Sequence, residues 1–209
     1  SNGISRGSAS ISTFFSKVRI MTTTSRRSNL DTIRQWINLS AILAAFGINI
    51  YTNINPHNGV TIGDISNTLF RNILITPANY AFSIWGLIYL GLISFGIYQA
   101  LPTQRQNSNL RRIGYWIAIA SIAQIAWIFL FQYGFFALSL VAMLAILVPL
   151  ILIYLRLGIG KQRVSRKEKW LVHIPISIYF GWISVATIVN VAIALYSRGW
   201  NGGGITPPV

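Results

Sequence analysis

Residues 113–157 read IGYWIAIASIAQIAWIFLFQYGFFALSLVAMLAILVPLILIYLRL and contain a single charged side chain. A helix that crosses a bilayer needs about 17–25 apolar residues, so this stretch is too long for one crossing. The FQYGF sequence at residues 131–135 offers a tight turn near its middle. We therefore predict two membrane spans, at residues 113–131 and 136–157, with Pro149 tolerated inside the second.

The composition of the whole chain agrees with a membrane protein. Of its 209 residues, 53% are hydrophobic and 10% are charged, whereas a soluble domain has about 25% charged residues. Three further apolar segments predict spans at residues 36–51, 78–101 and 170–196. We expect an all-α integral membrane protein, a bundle of five transmembrane helices over residues 36–200. The flanking segments are predicted to be a basic, disordered N-terminal tail at 1–35, with a transit-like segment as the alternative, and a short C-terminal tail at 201–209.

The charged residues predict the orientation of the chain. There are 17 Lys and Arg against 3 Asp and Glu, which in a soluble protein would indicate nucleic acid. In a membrane protein such an excess is typical of cytoplasmic loops, so we expect no nucleic-acid partner. With five spans, only Arg71 and Arg198 fall on the side opposite the other basic residues. This predicts an N-terminus on the cytoplasmic side and a C-terminus on the opposite side.

The last predicted span, in YFGWISVATIVN at residues 179–190, has polar and aromatic residues at helical spacing. Tyr179, Trp182, Ala186 and Asn190 are separated by three, four and four positions, which places them on one face. Thr187 lies beside that face. Small and polar residues such as Ala186, Thr187 and Asn190 are typical of helix packing in membranes, and we predict that role for these three.

Two other spans have similar aromatic stripes. The stripe of the second span contains Phe82, Trp85 and Tyr89, and that of the third contains Gln124, Trp127 and Phe131. Indole and phenol rings offer flat faces for stacking and polar atoms that orient a ligand. Together with Tyr179 and Trp182, these stripes predict a pocket between helices for a large, flat, amphipathic ligand.

The pattern Tyr-x-x-Trp-x-x-x-Ala-Thr-x-x-Asn at residues 179–190 resembles the fifth helix of the TspO/MBR family. This family contains the tryptophan-rich sensory proteins and the mitochondrial translocator protein. TPANYAFSIWGLIYL at 76–90 resembles the start of the family's second helix, and QIAWIFLF at 124–131 resembles its Asn-x-x-Trp-x-x-x-Phe motif, with Gln in place of Asn. The first loop, residues 52–76, contains no Trp, and Ile178 stands where the family has Pro. The chain therefore resembles a divergent branch.

The resemblance implies a five-helix bundle, often dimeric, that binds tetrapyrroles such as protoporphyrin IX or haem, and in animal members cholesterol. It also implies a sensory or regulatory role. The predicted ligand-binding residues are Pro77, Phe82, Trp85, Tyr89, Gln124, Trp127, Phe131, Tyr179 and Trp182. Some family members have been proposed to degrade protoporphyrin photo-oxidatively, a role that would fall to Trp85 and Trp182 here.

The polar residues limit the possible chemistry. The only acids are Asp31, Asp64 and Glu168, and the only histidines are His57 and His173; all five lie outside the predicted spans or at their ends. We therefore expect no catalytic acid–base residues, no metal ligands and no required cofactor, with a porphyrin or haem bound only as ligand. A receptor or carrier is favoured, with partners that are a tetrapyrrole or another lipophilic small molecule, membrane lipid and a second copy of the chain. The alternatives are a light-dependent porphyrin-degrading enzyme and a transporter of small molecules or sterols.

Overall fold

The computed structural model describes residues 4–68 and 83–200, and within these ranges every regular element is helical. The α-helices are α1 (Ile4–Ile54), α2 (Ile62–Thr68), α3 (Ile84–Ala100), α4 (Ser108–Ile113), α5 (Trp116–Gln132), α6 (Phe136–Leu157), α7 (Arg166–Glu168) and α8 (Ile174–Tyr196). A π-helical turn, Lys169–His173, joins α7 to α8. Short 3-10 turns lie at His57–Gly59 and Pro102–Gln104.

The five longest helices form a closed ring. Helix α1 packs against α3 and α5, α6 packs against α5 and α8, and α8 packs against α3. Apolar side chains fill the centre of the ring, among them Ile88, Phe95, Ile128, Ile146 and Ile183. Large apolar side chains also cover its outer surface, including Leu90, Ile122, Val141, Leu155 and Ile188. A surface that is apolar on this scale requires a nonaqueous surrounding.

Length and apolar composition identify three helical stretches as able to cross a membrane, at residues 11–54, 136–157 and 166–196. Helices α3 and α5 are apolar but shorter, with 17 residues each. The prediction for 136–157 coincides with α6, which continues unbroken through Pro149. Helix α5 begins three residues later than predicted because Gly114, with φ of 57°, ends α4 and separates the two helices.

The N-terminal segment differs from the disordered tail that we expected, because α1 is helical from Ile4. Extending an existing helix requires no new nucleation, and no Gly or Pro occurs between residues 8 and 46. Residues 11–27 are exposed throughout. This part of α1 therefore extends beyond the bundle without packing against it.

Polar contacts join the basic segments at one end of the bundle, which we call the basic end. Gln35 Nε2 donates to the carbonyl oxygens of Gln99 and Leu101, at 2.7 and 3.0 Å. Asn109 Nδ2 donates to Glu168 Oε1 at 2.9 Å, which links α4 to α7. The N-terminal helix, the α3–α5 connection and the α6–α8 connection therefore meet at the same end.

Asp31 forms the central ionic contact at the basic end. Its carboxylate accepts hydrogen bonds from Arg34, at 2.8 Å, and from the Arg111 guanidinium of α4. Burial of Asp31 raises the pKa of its carboxyl, but the hydrogen bond from Arg111 and the charges of Arg34, Arg111 and Arg27 outweigh burial. The pKa of Asp31 is therefore lowered from its ordinary value. The ion pair between Asp31 and Arg111 joins α1 to α4.

Candidate ligand-binding site

A cleft lies at the end of the bundle opposite the basic end, under α2 and between α3, α5 and α8. One of its two cavities is an apolar slot with a volume of about 40 Å³. The slot is lined by Ile62, Trp85, Trp127, Phe131, Trp182, Val185, Ala186, Val189, Asn190 and Ile193. The other is a polar cavity of about 330 Å³, which we call the mouth, lined by Asn49, Asn53, Thr61, Ile62, Gly63, Asp64, Trp85 and Trp127. Ile62, Trp85 and Trp127 line both cavities, which are therefore adjacent.

Trp85 is the centre of the aromatic wall. Its ring meets that of Trp182 edge to face, with centroids 6.2 Å apart and an interplanar angle of 83°. The ring of Tyr179 lies 6.4 Å away, also edge to face, and that of Tyr89 lies 5.9 Å away. These separations are within the favourable range for aromatic pairs. The wall is therefore built jointly by α3 and α8.

A hydrogen-bond chain fixes the second indole of the cleft. Trp127 Nε1 donates to Asn190 Oδ1 at 2.7 Å, and Asn190 Nδ2 donates to Ser139 Oγ at 3.2 Å. Ser139 Oγ in turn donates to the carbonyl oxygen of Phe136 at 2.7 Å. The chain joins α5, α8 and α6, and it holds the Trp127 ring beside that of Phe131, with centroids 5.2 Å apart.

Trp182 has a different environment. Its Nε1 is buried and has no hydrogen-bond partner among the residues that the structure describes. A buried donor without a partner costs free energy, and native structures rarely retain one without a reason. Trp182 lines the slot, so this unpaired indole N–H belongs to a side chain of the cleft wall.

Three predicted ligand-binding residues lie outside the cleft lining and contact one another. Gln124 of α5 donates from its amide nitrogen to the Tyr89 hydroxyl and accepts from the Tyr179 hydroxyl. Tyr89 also donates to the carbonyl oxygen of Ala45, at 3.3 Å. Both tyrosine hydroxyls are therefore occupied within a buried network that joins α1, α3, α5 and α8.

The polar mouth is shaped by the N-terminus of α2. Asp64 Oδ2 accepts from the Thr61 backbone N–H at 3.0 Å and from the Thr61 hydroxyl at 2.7 Å, and Asp64 N–H donates back to Thr61 Oγ1 at 3.1 Å. This is a capping box, and its hydrogen bonds lower the pKa of Asp64. It fixes the start of α2, where Ile62 covers the slot.

The structure brings together four of the predicted ligand-binding residues, because Trp85, Trp127, Phe131 and Trp182 all line the cleft. Tyr89, Gln124 and Tyr179 form the network behind it, and Pro77 and Phe82 lie outside the described residues. Whether any of these residues binds a ligand stays a prediction.

The three residues predicted for helix packing differ from one another. Ala186 and Asn190 line the slot as well as packing within the bundle. The Thr187 hydroxyl donates to the carbonyl oxygen of Ile183 in its own helix, at 2.7 Å. Its hydroxyl therefore forms a hydrogen bond within α8, so any part that Thr187 has in helix packing falls to the rest of its side chain.

Sequence reasoning missed the polar mouth and one wall of the slot. Asn49 and Asn53 are four positions apart at the end of α1, so a one-face pattern was present for them. The Thr-Ile-Gly-Asp sequence at 61–64 carried the capping-box signal for α2. No pattern distinguished Val185, Val189 and Ile193 from lipid-facing residues.

The side chains of the cleft can bind a ligand by stacking and by hydrogen bonding. Among the described residues, no group of three His, Asp or Glu side chains converges as metal ligands do. The ionisable side chain in the described lining is Asp64, at the mouth. Flat rings, one unpaired indole N–H and an adjacent polar cavity favour an amphipathic ligand with an extended π system.

Such a cleft, in a helical bundle with an apolar exterior, defines a class of membrane proteins that bind ligands between helices. The model of the TSPO-like protein family matches residues 35–209. The chain therefore belongs to the TSPO-like protein family and is an integral membrane protein, which confirms the resemblance drawn from residues 179–190. Comparison with curated proteins and with solved structures gave no match.

Proposed function

We propose that this protein is a membrane receptor or carrier that binds a tetrapyrrole, such as protoporphyrin IX or haem, in the cleft and has a sensory or regulatory role. The observation that carries the proposal is the unpartnered indole N–H of Trp182, buried in an aromatic wall that it shares with Trp85. A pyrrole-derived ring presents both a stacking face and acceptor atoms, and this wall offers the complement of each.

The volumes of the slot and the mouth determine where a tetrapyrrole ring would lie. Small-molecule sites are commonly about 300–1,000 Å³. The mouth, at about 330 Å³, falls within that range, whereas the slot, at about 40 Å³, is far below it. The ring would therefore occupy the mouth beside Trp85 and Trp127, and the slot would take only one edge of it.

Stacking would hold the ring more than coordination of a central metal. The hydroxyls of Tyr89 and Tyr179 are both engaged with Gln124. Neither histidine is among the described lining residues: His57 packs against Tyr133, with ring centroids 4.1 Å apart, and His173 lies in the π-helical turn. Metal-free protoporphyrin IX and haem should consequently bind with similar affinity.

We also infer that all five long helices cross the membrane, with the basic end in the cytoplasm. Helices α3 and α5, at about 1.5 Å per residue, are about 25 Å long, which is near the lower limit for a span. The basic residues at one end of the bundle support this orientation. Proteolysis of sealed vesicles would test it, because the α6–α8 connection should be cleaved only from the cytoplasmic side.

The binding proposal is tested by titrating the purified protein with protoporphyrin IX and following the porphyrin absorption band. Trp182→Phe keeps an aromatic ring and removes the N–H, so the Kd should rise about three- to tenfold, the equivalent of one hydrogen bond. Trp182→Ala removes the ring as well and should weaken binding further. Trp170→Phe is the matched control, because Trp170 is 60% exposed near the basic end.

The proposal fails if Trp182→Ala binds protoporphyrin as tightly as the wild-type protein and the Trp170→Phe control. Circular dichroism of each variant would show that the bundle is intact. Competition with a sterol in the same titration distinguishes a tetrapyrrole receptor from a sterol carrier.

A light-dependent enzyme is the second candidate, and the contact between Trp85 and Trp182 favours it. Adjacent indoles beside a porphyrin could transfer an electron to the excited ring. Illumination of the aerated complex should then bleach the porphyrin band in the wild-type protein and leave it intact in Trp182→Phe. Equal bleaching in both proteins would exclude a role for this indole.

A further inference from the structure

The exposed part of α1 presents an apolar stripe that none of the described residues of the bundle covers. The stripe consists of Ile11, Phe14, Phe15 and Val18, and the first three are 59%, 63% and 64% exposed. Their spacing of three, one and three positions places them on one side of the helix over two turns. Two adjacent exposed phenylalanines on a helix continuous with a membrane domain require a nonaqueous partner.

The charges around the stripe indicate what that partner is. Lys17 and Arg19 flank Val18, each about 100° around the helix from it. Arg26 and Arg27 follow two turns later, and no acidic residue occurs before Asp31. Long basic side chains beside an apolar stripe can extend toward anionic groups while the stripe is buried. This combination is typical of helices that lie in the interface of an anionic bilayer.

A second copy of the chain fits this surface less well. Pairing of helices needs an apolar repeat sustained over three or four heptads, whereas this stripe spans residues 11–18. Two parallel copies would also bring their basic residues together. An anionic surface would instead be attracted by the same charges.

The helix also has a position at which it can bend toward the membrane. The Thr22 hydroxyl donates to the carbonyl oxygens of Val18 and Arg19, both at 3.0 Å. Thr23 and Thr24 make equivalent bonds, at 2.9 Å to Arg19 and 2.8 Å to Ile20. Hydroxyl side chains that bond to carbonyl groups of the preceding turn often bend helices, and β-branched residues have lowered helix propensity.

We propose that residues 11–21 form an amphipathic arm that docks on the anionic lipid surface next to the bundle, with the bend in the threonine run at residues 22–24 and with Arg26 and Arg27 beside the bend. The stripe enters the interfacial region, and the flanking basic residues contact lipid phosphates. The arm thereby makes the protein sensitive to the lipid composition of the leaflet in which its basic end lies.

The absence of cysteine from the sequence allows a direct test on the full chain. Phe14→Cys and Ser16→Cys, each labelled with the fluorophore NBD, are reconstituted in vesicles of phosphatidylcholine, with or without phosphatidylglycerol. Ser16 is exposed and lies about 200° around the helix from Phe14, so it is the matched control. The label at 14 should shift to the blue and show several-fold weaker iodide quenching in anionic vesicles, while the label at 16 should remain quenched.

A second variant tests the electrostatic part. Replacing Lys17, Arg19, Arg26 and Arg27 by Gln in the Phe14→Cys background should abolish the lipid dependence. The proposal is wrong if the labels at 14 and 16 are quenched equally in anionic vesicles. It is also wrong if the label at 14 is protected in neutral vesicles as well as in anionic ones. A protection that rises with protein concentration would show that a second copy is the partner.

Discussion

Asn190 accepts the indole hydrogen bond of Trp127 and donates to Ser139, so one side chain of α8 is bound to both α5 and α6. The Trp127–Asn190 bond is 2.7 Å long and buried. It orients an indole that borders both the slot and the mouth. Asn190 thus orients a side chain of the cleft and also joins three helices.

Asn190→Leu should lower the free energy of unfolding by about 1–2 kcal/mol, because it leaves Trp127 Nε1 and Ser139 Oγ without this partner. Thr187→Val is the control, since the Thr187 hydroxyl bonds only within its own helix. Unfolding by SDS in mixed micelles measures both. Equal stability of the two variants would contradict the assigned contact.

Gln124→Leu should destabilise the bundle by about 1–3 kcal/mol, because two buried tyrosine hydroxyls lose their common partner. Tyr179→Phe removes one of the two contacts and should cost less. In a double-mutant cycle the two changes should be clearly non-additive. Tyr154→Phe, at a half-buried position of α6, should have little effect, and additive losses at 124 and 179 would show that the network is absent.

The α1–α3 contact depends on the absence of a side chain at Gly96. A Cβ there would lie 3.0 Å from Leu39 Cδ1 and 3.2 Å from Ile42 Cδ1. Gly96→Leu should therefore cost about 1–3 kcal/mol through overpacking. Gly86→Leu is its control on the same helix, because no atom of the described residues lies within 4 Å of a Cβ at that position. Thermal unfolding should separate the two variants, and a Gly96→Leu protein as stable as Gly86→Leu would refute the close approach.

The stability of the basic end should depend on pH through Asp31. The folded pKa of this carboxyl is below its unfolded value, so its contribution is fully present above about pH 4 and is lost as the pH falls through the folded pKa. Asp31→Asn should be destabilised at neutral pH by roughly 3 kcal/mol, since it leaves the buried Arg34 without its partner. Its unfolding free energy should also fall less between pH 5 and 3 than that of the wild-type protein. Parallel acid profiles for the two proteins would contradict this role of Asp31.

Helices α5 and α6 followed from apolar length, because a bilayer imposes a minimum number of residues and the segments 113–131 and 136–157 had only one turn signal between them. The face of α8 was predicted for the same kind of reason: positions 182, 186 and 190 must share a side of any helix. The helical state of residues 4–35 was not predictable from composition, since a basic, hydroxyl-rich segment resembles a disordered tail. Residues 4–35 are helical as the continuation of the part of α1 that packs in the bundle.

The spacing of residues in the sequence could not show which of them line the cleft and which form the network behind it. Tyr179 and Trp182 are on one face, but the depth of each side chain depends on which residues of α3 and α5 oppose it. Gln124 has length and polarity suited to either role. Only the packing of three helices shows that Gln124 joins two tyrosines while Trp182 retains an unused donor.

The π-helical turn at Lys169–His173 has a consequence for how this sequence can vary. Such a turn accommodates one residue more than a regular helical turn. The extra residue is therefore contained before α8 begins, and the side chains of α7 and α8 keep their directions. Loss of one residue from this turn should be tolerated, since the backbone can revert to regular helix. Loss of one residue between Trp182 and Asn190 would rotate Asn190 by about 100° relative to Trp182 and remove it from Trp127. The chain thus has a built-in place where length can change over evolution without disturbing the cleft.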